Sequence, residues 1–423
     1  MVSDKETFTN HSHFAYATLE RERCAPVGGR NPGSQGLGEP ARFTRPCWPA
    51  ASATRSRVEL SAAGENWDGE GMMRFVIICS LLLFANLLPV TGQAFGQELR
   101  ISHQWAEGTD GRDRAARVFV QEAESRAKGL KFRIYPKSSL NIKPTELLNA
   151  LRNNTLEMAV YPLTYAVAQA PEFSLAGLPG LVPSLDAARA LKGSEIHTTL
   201  QAIAEANGIR ILTWWWSPGG FFGRNREISD PQSVQGIRMR AADPLFELML
   251  QEAGASVINI PSTEVYAALQ SGSLDALLTS YEGFVSLRLY EQAKFATVGS
   301  TLFMSLTPVV MSLATWNRLS PEQRSALEEA AEISDSYFET IQRDVERRMV
   351  TTLRNTGVAI HRMTKKDYLT WLALAQRTAW IEYTKTNPRA QELLTTTVIT
   401  LLENFGSNKD DLIESIYKDE PKN

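Results

Sequence analysis

From Gln97 onward, strand-like and helix-like segments alternate at short intervals. The segment ELRISHQW predicts a strand, and RDRAARVFVQEAESRAK predicts an amphipathic helix with Ala115, Phe119, Ala123 and Ala127 spaced four residues apart. Further strands are predicted at LKFRIYP, LEMAVYP, IRILTWWW, GIRMRA, SVINI and LDALL, and further helices at PTELLNALRNN, residues 184–206, PLFELMLQEAG and TEVYAALQSG. Strands that alternate with helices in this way predict the α/β fold class, with parallel sheets flanked by helices.

The longest predicted element begins at Ser320-Pro321-Glu322-Gln323, which combines a capping box with proline at the first helical position. No glycine or proline interrupts the run from residue 322 to residue 356. A helix of about 35 residues would be about 50 Å long, which is longer than one small domain is wide. Two alternatives stay open: the helix crosses two lobes, or it breaks without a sequence signal.

The amino-terminal quarter of the chain is not predicted to be part of the folded protein. The apolar run FVIICSLLLFANLL, residues 75–88, follows Arg74 and precedes Ala94-Phe95-Gly96, which is typical of a signal peptide over residues 72–96 and of export to the periplasm. Residues 1–71 are rich in proline, glycine and serine, and we interpret them as a non-native extension from a start codon placed too far upstream. The alternative is a disordered native extension, in which case the apolar run is a membrane anchor.

Composition limits the possible partners. With 423 residues, 43% of them hydrophobic and 22% charged, the chain is predicted to be globular and long enough for two domains. Its net charge of −3 and the absence of a long basic run argue against nucleic acid as a partner. Cys24, Cys47 and Cys79 all precede the predicted cleavage site, so the mature chain has no thiol for a disulfide, a metal or catalysis.

The search for catalytic motifs is negative. The sequence has no G-x-S-x-G elbow, H-E-x-x-H, P-loop, or G-x-G-x-x-G after a strand. The glycine-rich segment PGGFFGRN, residues 218–225, lacks the lysine and spacing of a phosphate-binding loop and is interpreted as a turn or hinge. We therefore predict that the protein is not an enzyme and uses no cofactor or metal.

Potential recognition groups stand instead at the ends of predicted strands. Trp105, Tyr161, Trp216 and Arg240 each end or follow a strand, where ligands bind in open α/β sheets. A guanidinium among aromatic side chains suits a small carboxylate with an organic body. Arg240 on a solvated sheet edge is the alternative, and Trp215 is expected to pack in the core because it faces away from its two tryptophan neighbours.

The segment GIRMRAADPLFELMLQEAGASVINIPSTEVYAALQSGSLDALL resembles the central motif of DctP-type solute-binding proteins of TRAP (tripartite ATP-independent periplasmic) transporters. Similarity extends through FRIYPKSSLNIKPTELLNALRNNTLEMAV, EFSLAGLPGLVPSLDAARAL and WNRLSPEQRSALEEAA, and covers essentially residues 98–405. The resemblance implies two α/β lobes joined by hinge strands, with a long helix packed across both. On that basis lobe 1 is predicted at residues 97–218 plus about 305–345, and lobe 2 at about 219–304 plus 346–423.

The resemblance also implies a function. Members of this family capture an organic acid between the lobes and deliver it to a membrane-embedded permease, and they are usually monomers. The family's carboxylate-binding arginine falls on Arg240, and Arg238 is expected to be a surface charge. The predicted ligand-binding residues are Arg240, Trp216, Tyr161, Trp105, Gln104, Thr279, Asp243 and Gly220.

This sequence departs from the family pattern at three places. Gly220 stands where a second arginine is common in the family. Thr279 replaces the asparagine of the family's Asp-Gly-x-x-Asn stretch, and Gly180 replaces the phenylalanine of its usual Leu-Pro-Phe. These changes predict a roomier, less polar site that suits a monocarboxylate with a hydrophobic or aromatic body. A sensor or chaperone of the same fold, and less favourably a periplasmic enzyme acting on a carboxylate, are the alternative functions.

Overall fold

The computed structural model describes residues 97–405 with the exception of residues 242, 300 and 387. The predicted extension and signal peptide, residues 1–96, lie outside the described residues. Among the helices in the described range, none combines the length and the apolar character that a membrane span requires.

The first sheet contains five strands in the order β2-β1-β3-β11-β4. These strands are β1 (Gln97–Ser102), β2 (Leu130–Tyr135), β3 (Met158–Val160), β4 (Ile209–Ile211) and β11 (Val309–Ser312). Strand β1 runs parallel to β2, with Leu99 opposite Phe132, and parallel to β3, whereas β11 runs antiparallel to β3 and β4. The sheet is therefore mixed, because the strand that re-enters it from the second sheet runs in the opposite direction.

The second sheet contains seven strands, with β12-β9-β5-β8-β6-β7 in order and β10 paired to β5. Its strands are β5 (Trp216–Gly223), β6 (Arg238–Ala241), β7 (Ser256–Asn259), β8 (Ala276–Ser280), β9 (Phe295–Gly299), β10 (Phe303–Leu306) and β12 (Ala359–Met363). Strands β7, β6 and β8 are mutually parallel, whereas β5 runs antiparallel to β8, β9 and β10.

Helices cover both sheets. They are α1 (Gly111–Arg126), α2 (Leu147–Arg152), α3 (Leu185–Ala190), α4 (Glu195–Ala206), α5 (Pro244–Glu252), α6 (Val265–Ser271), α7 (Tyr281–Ser286), α8 (Leu313–Arg318), α9 (Pro321–Arg343), α10 (Val345–Asn355), α11 (Lys365–Ala375), α12 (Ile381–Lys385) and α13 (Ala390–Phe405). The predicted α/β class with helix-flanked sheets is confirmed, but the prediction of parallel sheets was wrong, because both sheets are mixed.

Two neighbouring strand segments connect the sheets, in addition to the helical connection from β11 to β12. The first passes from β4 to β5 and the second from β10 to β11. Strands β5 and β10 pair with Ser217 opposite Ser305, and the pairing continues through the bond from the Thr307 amide to the Trp215 carbonyl at 2.8 Å. These segments correspond to the predicted hinge strands. The lobe boundaries themselves stay a prediction, and α13, assigned to lobe 2, contacts α3 and α4, which belong to the predicted lobe 1.

The long predicted helix spans both halves of the molecule but breaks at Asp344, between α9 and α10. Helix α9 begins with the predicted capping box, in which Ser320 and Gln323 bond reciprocally. Leu327 and Phe338 of α9 are buried in the core of the first sheet, whereas Met349 of α10 is buried in the core of the second. The break lies where the helix passes from one core to the other.

Three local predictions were wrong. The helix over residues 184–206 is divided into α3 and α4 around Gly193, whose φ is +76°, a conformation that favours glycine. The strand IRILTWWW ends at Ile211. The segment PGGFFGRN, interpreted as a turn or hinge, is not a turn: most of it lies in β5, at the centre of the second sheet and in one of the two connecting segments.

Candidate functional site

A small cavity of about 40 Å³ lies at the connection between the two sheets. A cavity of about 10–15 Å³ on this measure holds one water, so this space suits a small polar molecule. The lining residues come from both sheets and from the connecting strands: Gln104, Trp105, Arg112, Pro162, Thr164, Tyr165, Ser217, Arg240, Ser262, Thr279, Ser280, Gly283, Leu287, Phe303, Ser305 and Thr307. We call this space the central cavity.

Strand ends position most of this lining. Gln104 and Trp105 follow β1, Tyr165 follows β3, and Ser262 follows β7, while Thr279 lies near the end of β8. These ends belong to parallel strands of both sheets, and the carboxyl ends of such strands are the usual ligand-binding edge. The connecting strands β5 and β10 complete the cavity with Ser217 and Ser305.

Arg240 supplies a buried cation to this cavity. Its side chain is 1% exposed, which excludes the solvated sheet edge considered from sequence. Its Nε donates to the Ile260 carbonyl at 2.8 Å and its Nη1 to the Leu278 carbonyl at 3.2 Å, while Nη2 is buried and has no hydrogen-bond partner among the described residues. Burial lowers the pKa of Arg240 from its ordinary value, and the nearby Tyr165 and Glu247 oppose that effect. A buried guanidinium with a free donor is completed by an anion.

Arg238 behaves differently although it lies two residues earlier on the same strand. It is exposed and pairs with Asp275, with Nη2 2.7 Å from Oδ1. This confirms the expectation that Arg238 is a surface charge.

Sequence reasoning missed a second guanidinium in the cavity. Arg112 lies in the first turn of α1 and is 5% exposed, and its Cζ lies 4.3 Å from the centre of the Trp105 ring. Its Nη1 donates to the Ser280 hydroxyl at 3.1 Å, which connects α1 to the end of β8. The sequence signal that could have identified Arg112 was its position at the start of the helix after the first strand, beside the helix cap Asp110.

The cavity wall also carries a set of amide and hydroxyl groups. Gln104 Nε2 donates to Ser262 Oγ at 2.8 Å, and the Ser262 amide donates to Tyr165 OH at 3.3 Å. Gln104 Oε1 and Ser217 Oγ are buried without a hydrogen-bond partner among the described residues. Since buried polar atoms are normally paired, these atoms favour a polar ligand.

Four of the eight predicted ligand-binding residues line the central cavity, namely Arg240, Trp105, Gln104 and Thr279. The other four do not. Tyr161 is fully buried beside Tyr165 with ring centres 6.4 Å apart, and Gly220 lies within β5 opposite Thr279. Their contact with a ligand stays a prediction, and the sequence could not show that they lie outside the cavity lining, because the direction of a side chain depends on strand register and loop geometry.

The consecutive residues Trp214, Trp215 and Trp216 are all buried in the core. Trp215 stacks on Phe338 with ring centres 5.0 Å apart, as expected for a core position. Trp214 donates from Nε1 to the Ala188 carbonyl at 2.9 Å and packs edge-to-face against Trp216. The aromatic wall expected at Trp216 is therefore absent from the cavity, where Trp105 is the tryptophan that contributes.

The roomier and less polar pocket expected from the sequence stays a prediction. Half of the lining residues carry a hydroxyl group, and the cavity volume is small. Gly180 does not enlarge it, since this residue lies at a turn with φ of +69° and a Cβ there would meet Leu372 at 2.8 Å. Within the residues described, no group of three or more histidine, cysteine or acidic side chains is arranged to hold a metal ion.

Asp243 has a structural position instead. It caps α5, with Oδ1 accepting from the Leu245 amide at 2.8 Å, and its Oδ2 is buried with no hydrogen-bond partner within the described ranges. Burial raises the pKa of Asp243 to about 7, although the amides of Leu245 and Phe246 act to lower it. The folded protein thus holds a proton on Asp243 that the unfolded chain releases near pH 4.

We expect this proton to make the free energy of unfolding fall as pH rises from about 4 to about 7, because in that window the folded state binds more protons than the unfolded state. One proton corresponds to about 1.4 kcal/mol per pH unit, so this contribution decreases by about 2–3 kcal/mol between pH 5 and pH 7. In Asp243→Asn, which keeps the cap, the contribution disappears. Urea denaturation of both proteins at pH 5 and pH 7 measures the difference, and equal pH dependence of the two would refute the assignment.

Comparisons with known proteins agree with the fold described above. The family model DctP, described as "Bacterial extracellular solute-binding protein, family 7", matches residues 101–385. A solute-binding protein of Albidiferax ferrireducens is 34% identical over 322 residues, which is 74% of this chain and 94% of that protein.

Two crystal structures resemble the fold. A TRAP periplasmic solute binding protein from Rhodoferax ferrireducens with bound malonate has 33% identity and a TM-score of 0.71, covering 72% of this chain and 99% of that one. A TRAP periplasmic solute binding protein from Sulfitobacter sp. NAS-14.1 with bound β-D-galacturonate has 20% identity and a TM-score of 0.67, covering 72% of this chain and 100% of that one. Both confirm the predicted two-lobed fold.

Proposed function

Because the chain belongs to the DctP family of bacterial extracellular solute-binding proteins, as the resemblance predicted, we propose that it captures a small organic acid in the central cavity and delivers it to a TRAP permease. The observation that carries the proposal is Arg240, a fully buried cation whose Nη2 has no hydrogen-bond partner in the part of the chain that the structure describes. A ligand carboxylate bound there would satisfy this donor with a charge-assisted hydrogen bond.

The cavity suits capture by closure of the two lobes. Gln104 and Arg112 come from the side of the first sheet, and Arg240 and Thr279 from the second. A ligand that bonds to both sides stabilises the closed arrangement more than the open one, and so shifts the equilibrium toward it. The relative from Rhodoferax ferrireducens, whose structure contains malonate, supports a small acid as the class of ligand.

The remaining parts of the proposal concern location and partners. Residues 72–96 act as the signal peptide, and the mature protein works as a periplasmic monomer that binds its solute without turnover, cofactor or nucleic acid. Its macromolecular partner is the membrane-embedded permease, which takes over the solute.

A thermal-shift panel on the purified protein tests the ligand class. It compares small monocarboxylic and dicarboxylic acids, aromatic acids, sugar acids and neutral sugars. An acid present at about a thousand times its dissociation constant is expected to add about 4 kcal/mol of stability, seen as a shift of several degrees. NMR of the same mixtures after incubation should show the acid unchanged. Stabilisation by neutral sugars alone would refute the proposal, and conversion of the acid would indicate an enzyme.

A further inference from the structure

We infer that Asp110 makes the central cavity selective for acids that carry a single negative charge. This inference rests on the proposed function, since it concerns which carboxylates the same cavity accepts. It follows from the charges that face the cavity and from how each of them is paired.

The charge of Arg112 is already matched inside the protein. Its Nε donates to Asp110 Oδ1 and its Nη2 to Asp110 Oδ2, both at 2.8 Å. Asp110 is fully buried, so water does not weaken this bidentate pair. Burial alone would raise the pKa of Asp110, but the charge and hydrogen bonds of Arg112 outweigh burial and hold the pKa below its ordinary value. Asp110 is therefore ionised, and the pair is neutral.

Arg112 still presents an oriented polar group to the cavity, although its charge is matched by that of Asp110. Its third nitrogen, Nη1, donates to the Ser280 hydroxyl at 3.1 Å. Its guanidinium plane is fixed further by Trp105 at 4.3 Å. A ligand beside Arg112 thus meets oriented polar groups but no uncompensated cation.

Arg240 is left as the uncompensated cation of the cavity lining. Its two bonded nitrogens donate to backbone carbonyls, which carry no formal charge. Across the described residues it forms no ion pair with an acidic side chain, and the acidic group that acts on it, Glu247, is half-buried and bonds to Asn259.

The neighbouring acidic group does not change this balance. Glu282 follows Ser280 but does not line the cavity. Its carboxylate lies 3.7 Å from Arg114 and 3.6 Å from Arg348, so it is compensated outside the cavity. The other lining residues are uncharged, apart from Arg112 and Arg240. The net charge available to a ligand is therefore +1.

A second carboxylate on the ligand would enter a cavity of about 40 Å³ without a free cation to pair with. Beside Arg112 it would also meet the negative charge of Asp110, whose carboxylate oxygens lie 2.8 Å from Nε and Nη2 of Arg112. An unpaired charge in a water-poor site and a like-charge neighbour are both unfavourable, so diacids are disfavoured relative to monoacids of the same skeleton.

Calorimetric dissociation constants for acid pairs that differ by one carboxylate test this inference. Lactate is compared with malate, and acetate with malonate. In the wild-type protein we expect the monoacid to bind about tenfold more tightly or better. Asp110→Asn keeps a capping oxygen for α1 but raises the cavity charge to +2, and the preference should move toward the diacid by about tenfold or more.

Two further variants control for effects other than charge in the cavity. Asp110→Asn combined with Arg112→Gln returns the cavity charge to +1 and should restore the preference for the monoacid. Asp230→Asn removes a capping carboxylate from a helical turn outside the cavity, and should leave the preference as in wild type.

Proton uptake gives a readout that needs no variant. Above the second pKa of the diacid, its binding to the wild-type protein should take up about one proton, measured by calorimetry in buffers of different ionisation enthalpy. The monoacid in the same buffers reports any proton taken up by the protein itself.

Diacids that bind as tightly as monoacids without proton uptake, or an unchanged preference in folded Asp110→Asn, would overturn the inference and leave the proposed function standing. Failure of all four acids and of every other carboxylate to bind would overturn the proposed function itself.

Discussion

Arg240→Met is expected to weaken binding of the natural acid by about 2–5 kcal/mol, or roughly 30-fold to several-thousand-fold in Kd. Methionine keeps an unbranched apolar chain in the buried position but removes the Nη2 donor and the charge that the carboxylate requires. The measurement is isothermal titration of the tightest acid from the panel into wild type and variant. Binding of that acid to the variant as tightly as to wild type would show that Arg240 is not the carboxylate partner.

Arg238→Met is the matched control for this experiment. It makes the same substitution on the same strand, two residues away, but at an exposed position paired with Asp275. An exposed ion pair contributes about 0–1 kcal/mol to stability, and the residue does not line the cavity. We expect its affinity to equal that of wild type, with both variants giving the cooperative thermal unfolding of a folded protein.

The second large effect is expected at Gly220, the position that aligns with a family arginine. A Cβ there would lie 2.1 Å from the Thr297 carbonyl oxygen and 3.1 Å from a ring carbon of Tyr281. Because β5 is paired with several neighbouring strands, its backbone has little freedom to move away. Gly220→Ala should reduce the free energy of unfolding by about 4 kcal/mol or more, measured by urea denaturation.

Gly193→Ala separates this close contact from the general effect of replacing glycine. Gly193 has φ of +76° and open space around its Cβ position, so only backbone strain of about 1 kcal/mol is expected. Equal losses of stability in the two variants would contradict the role assigned to Gly220.

Periodicity predicted the α/β class and the family resemblance implied the two lobes, whereas the site depended on contacts that periodicity does not encode. The alternation of segments predicted most strands, and the capping box at Ser320 predicted where α9 begins. The break at Asp344 carries no glycine or proline, because it arises from the change of packing partner between the two cores. Likewise, β5 looked like a turn because its glycines serve close backbone packing within the sheet rather than a reversal of the chain.

The prediction of the site depended mainly on the position of Arg240 on its strand. Arg240 could be predicted because it lies at the end of a strand, where ligands bind in α/β sheets, and because its neighbours on the chain carried a family resemblance. Arg112 was missed because it lies far from Arg240 in sequence and reaches the cavity only through the packing of α1 against the end of β8. Trp216 was expected to line the cavity because its side chain is aromatic, but the sequence did not show in which direction that side chain points.

The most direct test of the central claim is a crystal structure of the protein with the tightest acid of the panel. We expect a carboxylate oxygen of the ligand in the central cavity within about 2.7–3.2 Å of Arg240 Nη2, with the lobes closed around it. A ligand bound elsewhere, or bound in this cavity with its carboxylate directed away from Arg240, would contradict the account.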